Sequence, residues 1–168
     1  MNETSKLTLD NYRSKIDSVD KKILNYISQK VKLYEAHGVI SGNNYHNYIN
    51  FKYIPQGLIP IFLYTFDNHF SVNQKKKKHS SQIIDQNENL NLRLLNQLDK
   101  RFHLIHQIGK YKKQIKMGGL QIDRWNQVLL SKKDMGAKLE IPTLLVGILW
   151  NLIHEYALLI EDKIINEN

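Results

Sequence analysis

Leu98-Asp99-Lys100-Arg101 and Ile108-Gly109-Lys110-Tyr111-Lys112 lie on one uninterrupted amphipathic run, residues 89–116, whose reading decides the fold. Leu90, Leu94, Leu98, Phe102, Ile105 and Ile108 recur there at steps of three and four, which winds them onto one face of a helix. Gly118-Gly119 ends the pattern. Arg101 and Lys112 are separated by almost three full helical turns, so they share the face that carries Ile105 and Ile108. Cations beside an apolar stripe are costly unless they are paired or bind an anion. The alternative is that both snorkel past the core to solvent.

Working outward, Ile122 to Met135 reads as a short helix with Trp125, Val128 and Leu129 facing inward and Gly136 as its stop. A last helix begins near Pro142, a residue suited to a first helical position, with the stripe Leu145, Ile148, Leu149, Leu152, Ile153, Tyr156 and Ile160. Towards the N-terminus, residues 9–36 form another amphipathic helix through Ile16, Val19, Ile23, Ile27 and Val31, stopped by Gly38. Residues 39–85 lack periodicity and hold Asn43-Asn44, Pro55, Gly57 and Pro60. They predict an irregular insertion, mobile or appended, with room for one short strand or helix near Ile59 to Phe66. The expected architecture is all-α: a long, a short and a long helix, an extra N-terminal amphipathic helix, and the insertion. Its divisions fall at residues 1–40, 41–85 and 86–168.

Residues 16–38 echo residues 87–109. Leu24 and Leu95, Asn25 and Asn96, Leu33 and Leu104, and Gly38 and Gly109 are identical pairs. Lys30 pairs with Arg101, and Ile84 stands where a second Arg13 would be. Amphipathic helices match this well by chance or by duplication.

Cysteine is absent, which excludes disulfides, thiol nucleophiles and zinc–thiolate sites and fits a reducing cytoplasm. The longest apolar run, Leu58 to Phe66, is interrupted by Pro60 and too short to span a bilayer, so no membrane partner is expected. The net charge of +8 owes half its value to Lys75-Lys76-Lys77-Lys78, a run without interleaved aromatic residues that reads as a solvated linker and not as a nucleic-acid surface. His103 and His106 have no acidic or cysteine partner to complete a metal site. Only four of the 24 basic residues are arginines, so their places are informative. Arg124 follows Lys112 at nearly the interval that separates Lys112 from Arg101, and His154-Glu155-Tyr156-Ala157 comes further on, in the last helix. Such spacing on helices suggests a pocket for a small multi-anion.

These stretches, with Leu120-Gln121-Ile122-Asp123-Arg124-Trp125 and Ile153-His154-Glu155, resemble the all-helical chorismate mutases from about Leu90 to Lys163. The Leu-Gln-x-x-Arg-Trp form resembles the subgroup that works with 3-deoxy-7-phosphoheptulonate synthase. Arg13-Ser14-Lys15-Ile16-Asp17-Ser18-Val19-Asp20 resembles the start of that family's first helix, so the chain looks like a first helix, an insertion, and a domain whose own first helix is truncated. The resemblance implies an intertwined homodimer that rearranges chorismate to prephenate without cofactor or metal. It implies Arg101 as a carboxylate clamp, Arg124 in the site, and Lys112 reaching the ether oxygen and a carboxylate. Arg13 is implied as the arginine that a partner subunit lends, and Gln121 as a hydrogen bonder to the ring hydroxyl. Ala157 and Glu161 stand where the family has Ser and Gln. An ionised Glu161 cannot donate to the ether oxygen, and the neighbouring cations favour its charged form. Trp125 reads as core and His154 as a plain helix-face residue. Two other readings share the fold: an isochorismate–pyruvate lyase, and a non-catalytic regulatory partner of an aromatic-pathway enzyme.

Overall fold

A computed structural model describes residues 3–40, 48, 51–71, 79–118 and 122–167, residues 3–7 by backbone only. The lysine run, Asn43-Asn44, Gly119 and Gln121 lie outside the described residues. Five helices follow in order: α1 Glu3–His37, α2 Leu58–Ser71, α3 Ser81–Gln114, α4 Ile122–Lys138 and α5 Thr143–Asn166. No strand occurs among the described residues, so the fold is all-α as expected.

The apolar stripes form the core. Leu9, Ile16, Ile23, Leu24, Ile27 and Val31 of α1 meet Leu94, Leu95, Leu98, Phe102 and Ile105 of α3 in one buried cluster. The two helices run antiparallel, because Asp20 lies beside Arg101 while Lys30 lies beside Asn91. α1 ends where expected: Gly38 adopts φ 84° and its N–H donates to the Tyr34 carbonyl at 2.7 Å, closing the last turn.

Three expectations are corrected. Residues 41–85 are not simply an irregular appendage. α2 buries Leu58, Ile59, Phe62, Leu63 and Phe66 against the core, because its apolar residues repeat with helical spacing and Pro60 falls in the first turn, where no helical N–H is lost. The segment before α2 is strapped to α3, where the Asp99 carboxylate accepts from the N–H groups of Tyr53 and Ile54 at 2.7 and 3.2 Å. Nor is the first helix of the C-terminal half truncated: α3 reaches back to Ser81. Only the arginine is missing, with Ile84 in its place.

Gly136 does not stop α4, which continues to Lys138. A Cβ on Gly136 would sit 2.6 Å from Val146 Cγ2, so glycine here lets α4 and α5 approach closely. The turn comes later, at Glu140 with φ 60°. Ser28 Oγ donates to the Leu139 carbonyl at 2.8 Å and ties this hairpin to α1. α5 is long and apolar enough, by length and composition, to cross a membrane, a feature the shorter run at Leu58 does not reveal. Here Leu145, Val146, Leu149, Trp150, Ile153 and Ala157 spend that apolar character on the bundle core.

Candidate active site

α1, α3, α4 and α5 enclose one cavity whose walls include Arg13, Arg101, Lys112, Arg124, Ala157 and Glu161. The structure therefore brings together six of the seven residues singled out from the sequence; the seventh, Gln121, lies outside the described residues. The cations did not snorkel out. Arg101 and Lys112 are buried, and they sit one above the other with Ile105 and Ile108 between them, as a separation of nearly three helical turns requires.

Each buried cation has an anchor. Arg101 Nε donates to Asp20 Oδ1 at 2.8 Å. Asp20 has no exposed surface, and its other oxygen lies 3.1 Å from Lys132 Nζ, an ion-pair contact outside hydrogen-bond geometry. Lys132, itself buried on α4, also donates to Asp17 at 2.7 Å. Asp17, Asp20, Arg101 and Lys132 thus form a chain of alternating charge that fixes the guanidinium. Arg101 Nη1 is buried and has no hydrogen-bond partner among the described residues. A buried unpaired guanidinium N–H is expensive, and an anion in the cavity would satisfy it.

Lys112 Nζ donates to Glu161 Oε2 at 2.5 Å. Gly109 makes room for this contact, because a Cβ there would press on Ile164 at 3.1 Å and lie 3.5 Å from Glu161 Cα. The pair is buried, and burial decides the balance posed by the sequence. Burial raises the Glu161 carboxyl above its usual range, and outweighs the opposing pull of Lys112, Arg101 and Arg13.

Two wall residues were missed. Trp125 does pack against the core as read, but it also lines the cavity, and so does His154, read as a plain helix-face residue. Their rings stack 3.7 Å apart and within 4° of parallel. Burial, with the nearby Arg101 and Lys112, lowers the His154 pKa despite Glu155, so its ring is neutral at pH 7. The signal was available in the spacing: His154, Ala157, Leu158 and Glu161 form one face of α5 at steps of three and four.

An all-α bundle whose cavity is lined by Arg13, Arg101, Lys112 and Arg124, with no serine, threonine or cysteine in its described walls, is suited to binding and orienting a multi-anion. The family of type II chorismate mutases matches residues 74–162, more than half of the chain. The chain belongs to that family, whose members isomerise chorismate. Comparison with curated proteins and with solved structures finds no match. The matched segment spans α3, α4 and nearly all of α5 but leaves out α1, the helix that carries Arg13, Asp17 and Asp20.

Proposed function

We propose that the cavity is the chorismate site and that its residues convert chorismate to prephenate by orientation and electrostatics. The observation that carries this is the convergence of Arg13, Arg101, Lys112 and Arg124, from three helices, on one cavity where Arg101 Nη1 is buried and unpaired. The substrate is a dianion, and planar guanidinium groups grip carboxylates with two parallel hydrogen bonds. Arg101 and Arg13 clamp one carboxylate each, and Arg124 adds positive charge at the wall. Lys112 faces the ether oxygen, where negative charge develops as the bond breaks, and stabilises it from a water-poor site. Gln121 takes the ring hydroxyl. The stacked Trp125 and His154 form one flat wall against which the folded conformer lies, so that the enolpyruvyl arm stays over the ring. Glu161 works in its protonated form, which can donate to the ether oxygen, and Ala157 leaves room beside it.

No general base, metal or cofactor takes part in this scheme. The products of pericyclic turnover identify the reaction: prephenate from chorismate supports the proposal, whereas salicylate and pyruvate from isochorismate would replace it with the lyase. Arg101→Ala is expected to lower kcat/KM by about 10²–10³-fold, the cost of losing one preorganised donor, with far-UV helicity retained. The Leu-Gln-x-x-Arg-Trp form supports a working association with 3-deoxy-7-phosphoheptulonate synthase, testable by co-elution of the two. A cytoplasmic setting fits a cysteine-free chain with a diffusible anionic substrate. An intertwined homodimer is not needed to bring Arg13 to the site, since the chain's own α1 supplies it.

A further inference from the structure

The echo between residues 16–38 and 87–109 has a counterpart in contacts. Asp20 of α1 holds Arg101 of α3 at 2.8 Å. The shift that carries Leu24 onto Leu95 also carries Asp20 onto Asn91 and Lys30 onto Arg101. Lys30 Nζ donates to Asn91 Oδ1 at 2.7 Å. The second contact is the first with the two helices exchanged. A two-fold axis that exchanges them crosses the antiparallel pair midway, near Leu24 and Asn25 on α1 and Leu95 and Asn96 on α3. These are identical pairs of the echo, and both leucines are fully buried there.

The axis also predicts a second cavity around Lys30, and that place is filled. Ile84 occupies the position of Arg13, and Tyr34 that of Ile105. The Lys30 ammonium lies 4.8 Å from the Tyr34 ring and 5.0 Å from the Phe66 ring. It donates to Asn87 at 3.1 Å and lies 3.3 Å from Asp67. Lys30 has no exposed surface. Phe66 and Asp67 come from α2, the helix in the segment between the two copies. Asn91 replaces the carboxylate of Asp20 with a neutral amide, so Asp67 supplies the anion that balances Lys30. A lysine in place of arginine also cannot make a two-bond clamp on a carboxylate.

We propose that the chain is a one-site, single-chain form of a two-fold design, in which α1 and α3 are the two first helices. The Arg101 copy is the open site. The Lys30 copy has been closed by α2 into a polar piece of core. The chemistry of the open site rests on the proposed function; the two-fold relation does not. One chain then supplies Arg13 and Arg101 to the same cavity and binds one substrate.

Mixing inactive variants tests this. Arg13→Ala and Arg101→Ala are unfolded in urea and refolded together. The expected recovery is none. If α1 were exchanged between subunits of a two-site dimer, half the refolded dimers would be hybrids with one intact site each, giving about a quarter of wild-type turnover. That recovery overturns the proposal. Calorimetric titration of the wild type with prephenate is expected to give one site per chain, and two sites overturn it. A readout free of turnover is the mass on dilution. One chain of 19.8 kDa with full helicity is expected. A dimer that loses helicity as it dissociates overturns the proposal, because α1 would then pair with the partner's α3. If the wild type makes no prephenate, the proposed function fails, and the mass still decides the single-chain reading.

Discussion

If the proposed role of Glu161 holds, activity depends on pH in the direction set by its raised pKa. Its carboxyl is buried and held at 2.5 Å from the Lys112 ammonium. Ionised, it keeps Lys112 occupied and, in the proposed mechanism, would turn a negative charge towards the ether oxygen. Two full like charges about 4 Å apart repel by about 4 kcal/mol at an effective dielectric of about 20, so half a developed charge costs about 2 kcal/mol, or about 30-fold in rate. Only 6% of Glu161 is exposed, so solvent screens little of this. Burial raises its pKa, so the protonated form persists to higher pH than for an ordinary carboxyl. The expected kcat profile has a high plateau on the acid side and steps down by about 30-fold as pH rises through the raised pKa. Glu161→Gln is expected to stay on the upper plateau from pH 5 to 8. Stability follows the same sign. The folded state holds this proton more tightly than the unfolded chain does. The group's contribution is therefore complete below the ordinary carboxyl pKa and is lost as pH rises through the raised one. Glu161→Gln gains stability over the parent at pH 8 relative to pH 4. The assay is initial-rate loss of chorismate absorbance with both proteins across that range. Two flat profiles, or a parent more active at pH 8 than at pH 5, would refute the reasoning.

Lys30 gives an opposite signature: burial lowers its pKa from 10.5 to about 8 against the pull of Asp67. The unfolded chain binds this proton more tightly, so urea stability gains up to about 3 kcal/mol as pH rises from about 8 to about 10.5. That increment should vanish in Lys30→Met, with kcat and KM unchanged within about twofold; an equal increment in the variant sinks the argument. Gly136→Ala forces a Cβ to 2.6 Å from Val146 Cγ2 and should cost about 1–3 kcal/mol in urea melts, largely recovered by adding Val146→Ala. Independent, additive costs would show that the two residues do not compete for the same space. His154→Ala removes one ring of the stack at 3.7 Å and should raise KM with little loss of helicity, while His154→Phe, which keeps a flat ring, should restore KM. Equal KM values for both variants would deny the wall its part in binding.

The helices that carry the cations were legible because their apolar residues keep strict steps of three and four over many turns. That Arg101 and Lys112 share a face follows from that period; that they turn inward to a site follows only from the resemblance to the family. What escaped depended on packing between elements. α2 looked irregular because its repeat is short and sits among Pro55, Gly57 and Pro60. It is a helix because α5 and the core give its phenylalanines somewhere to go. Gly136 was read as local punctuation, whereas its reason is the nearness of Val146 in another helix. Trp125 and His154 were set aside one at a time, and only their stacking makes them a wall. Lys132 carried no visible signal: one lysine among many becomes the partner of Asp17 and Asp20 only once α4 folds against α1.

Lys132 matters to the charge of the site. With Arg101, Asp17 and Asp20 it forms a network with no net charge, so that cluster positions the clamp without adding to the field. Arg13, Lys112 and Arg124 are then left against Glu161. Asp10 lies 3.0 Å from Arg13, but its side chain is 54% exposed and solvent weakens its hold. With Glu161 ionised, these groups carry two net positive charges, the number that would balance the two carboxylates of the proposed substrate. With Glu161 protonated they carry three. In the proposed mechanism the third has nothing to balance in the ground state and would meet the charge that develops on the ether oxygen, so protonating Glu161 would favour the transition state over the substrate, which is the difference that accelerates a reaction. On the proposed function α1 is needed although it lies outside the segment that matches the family: it supplies Arg13 directly, and through Asp20 it holds Arg101, whose Nη1 is left for an anion.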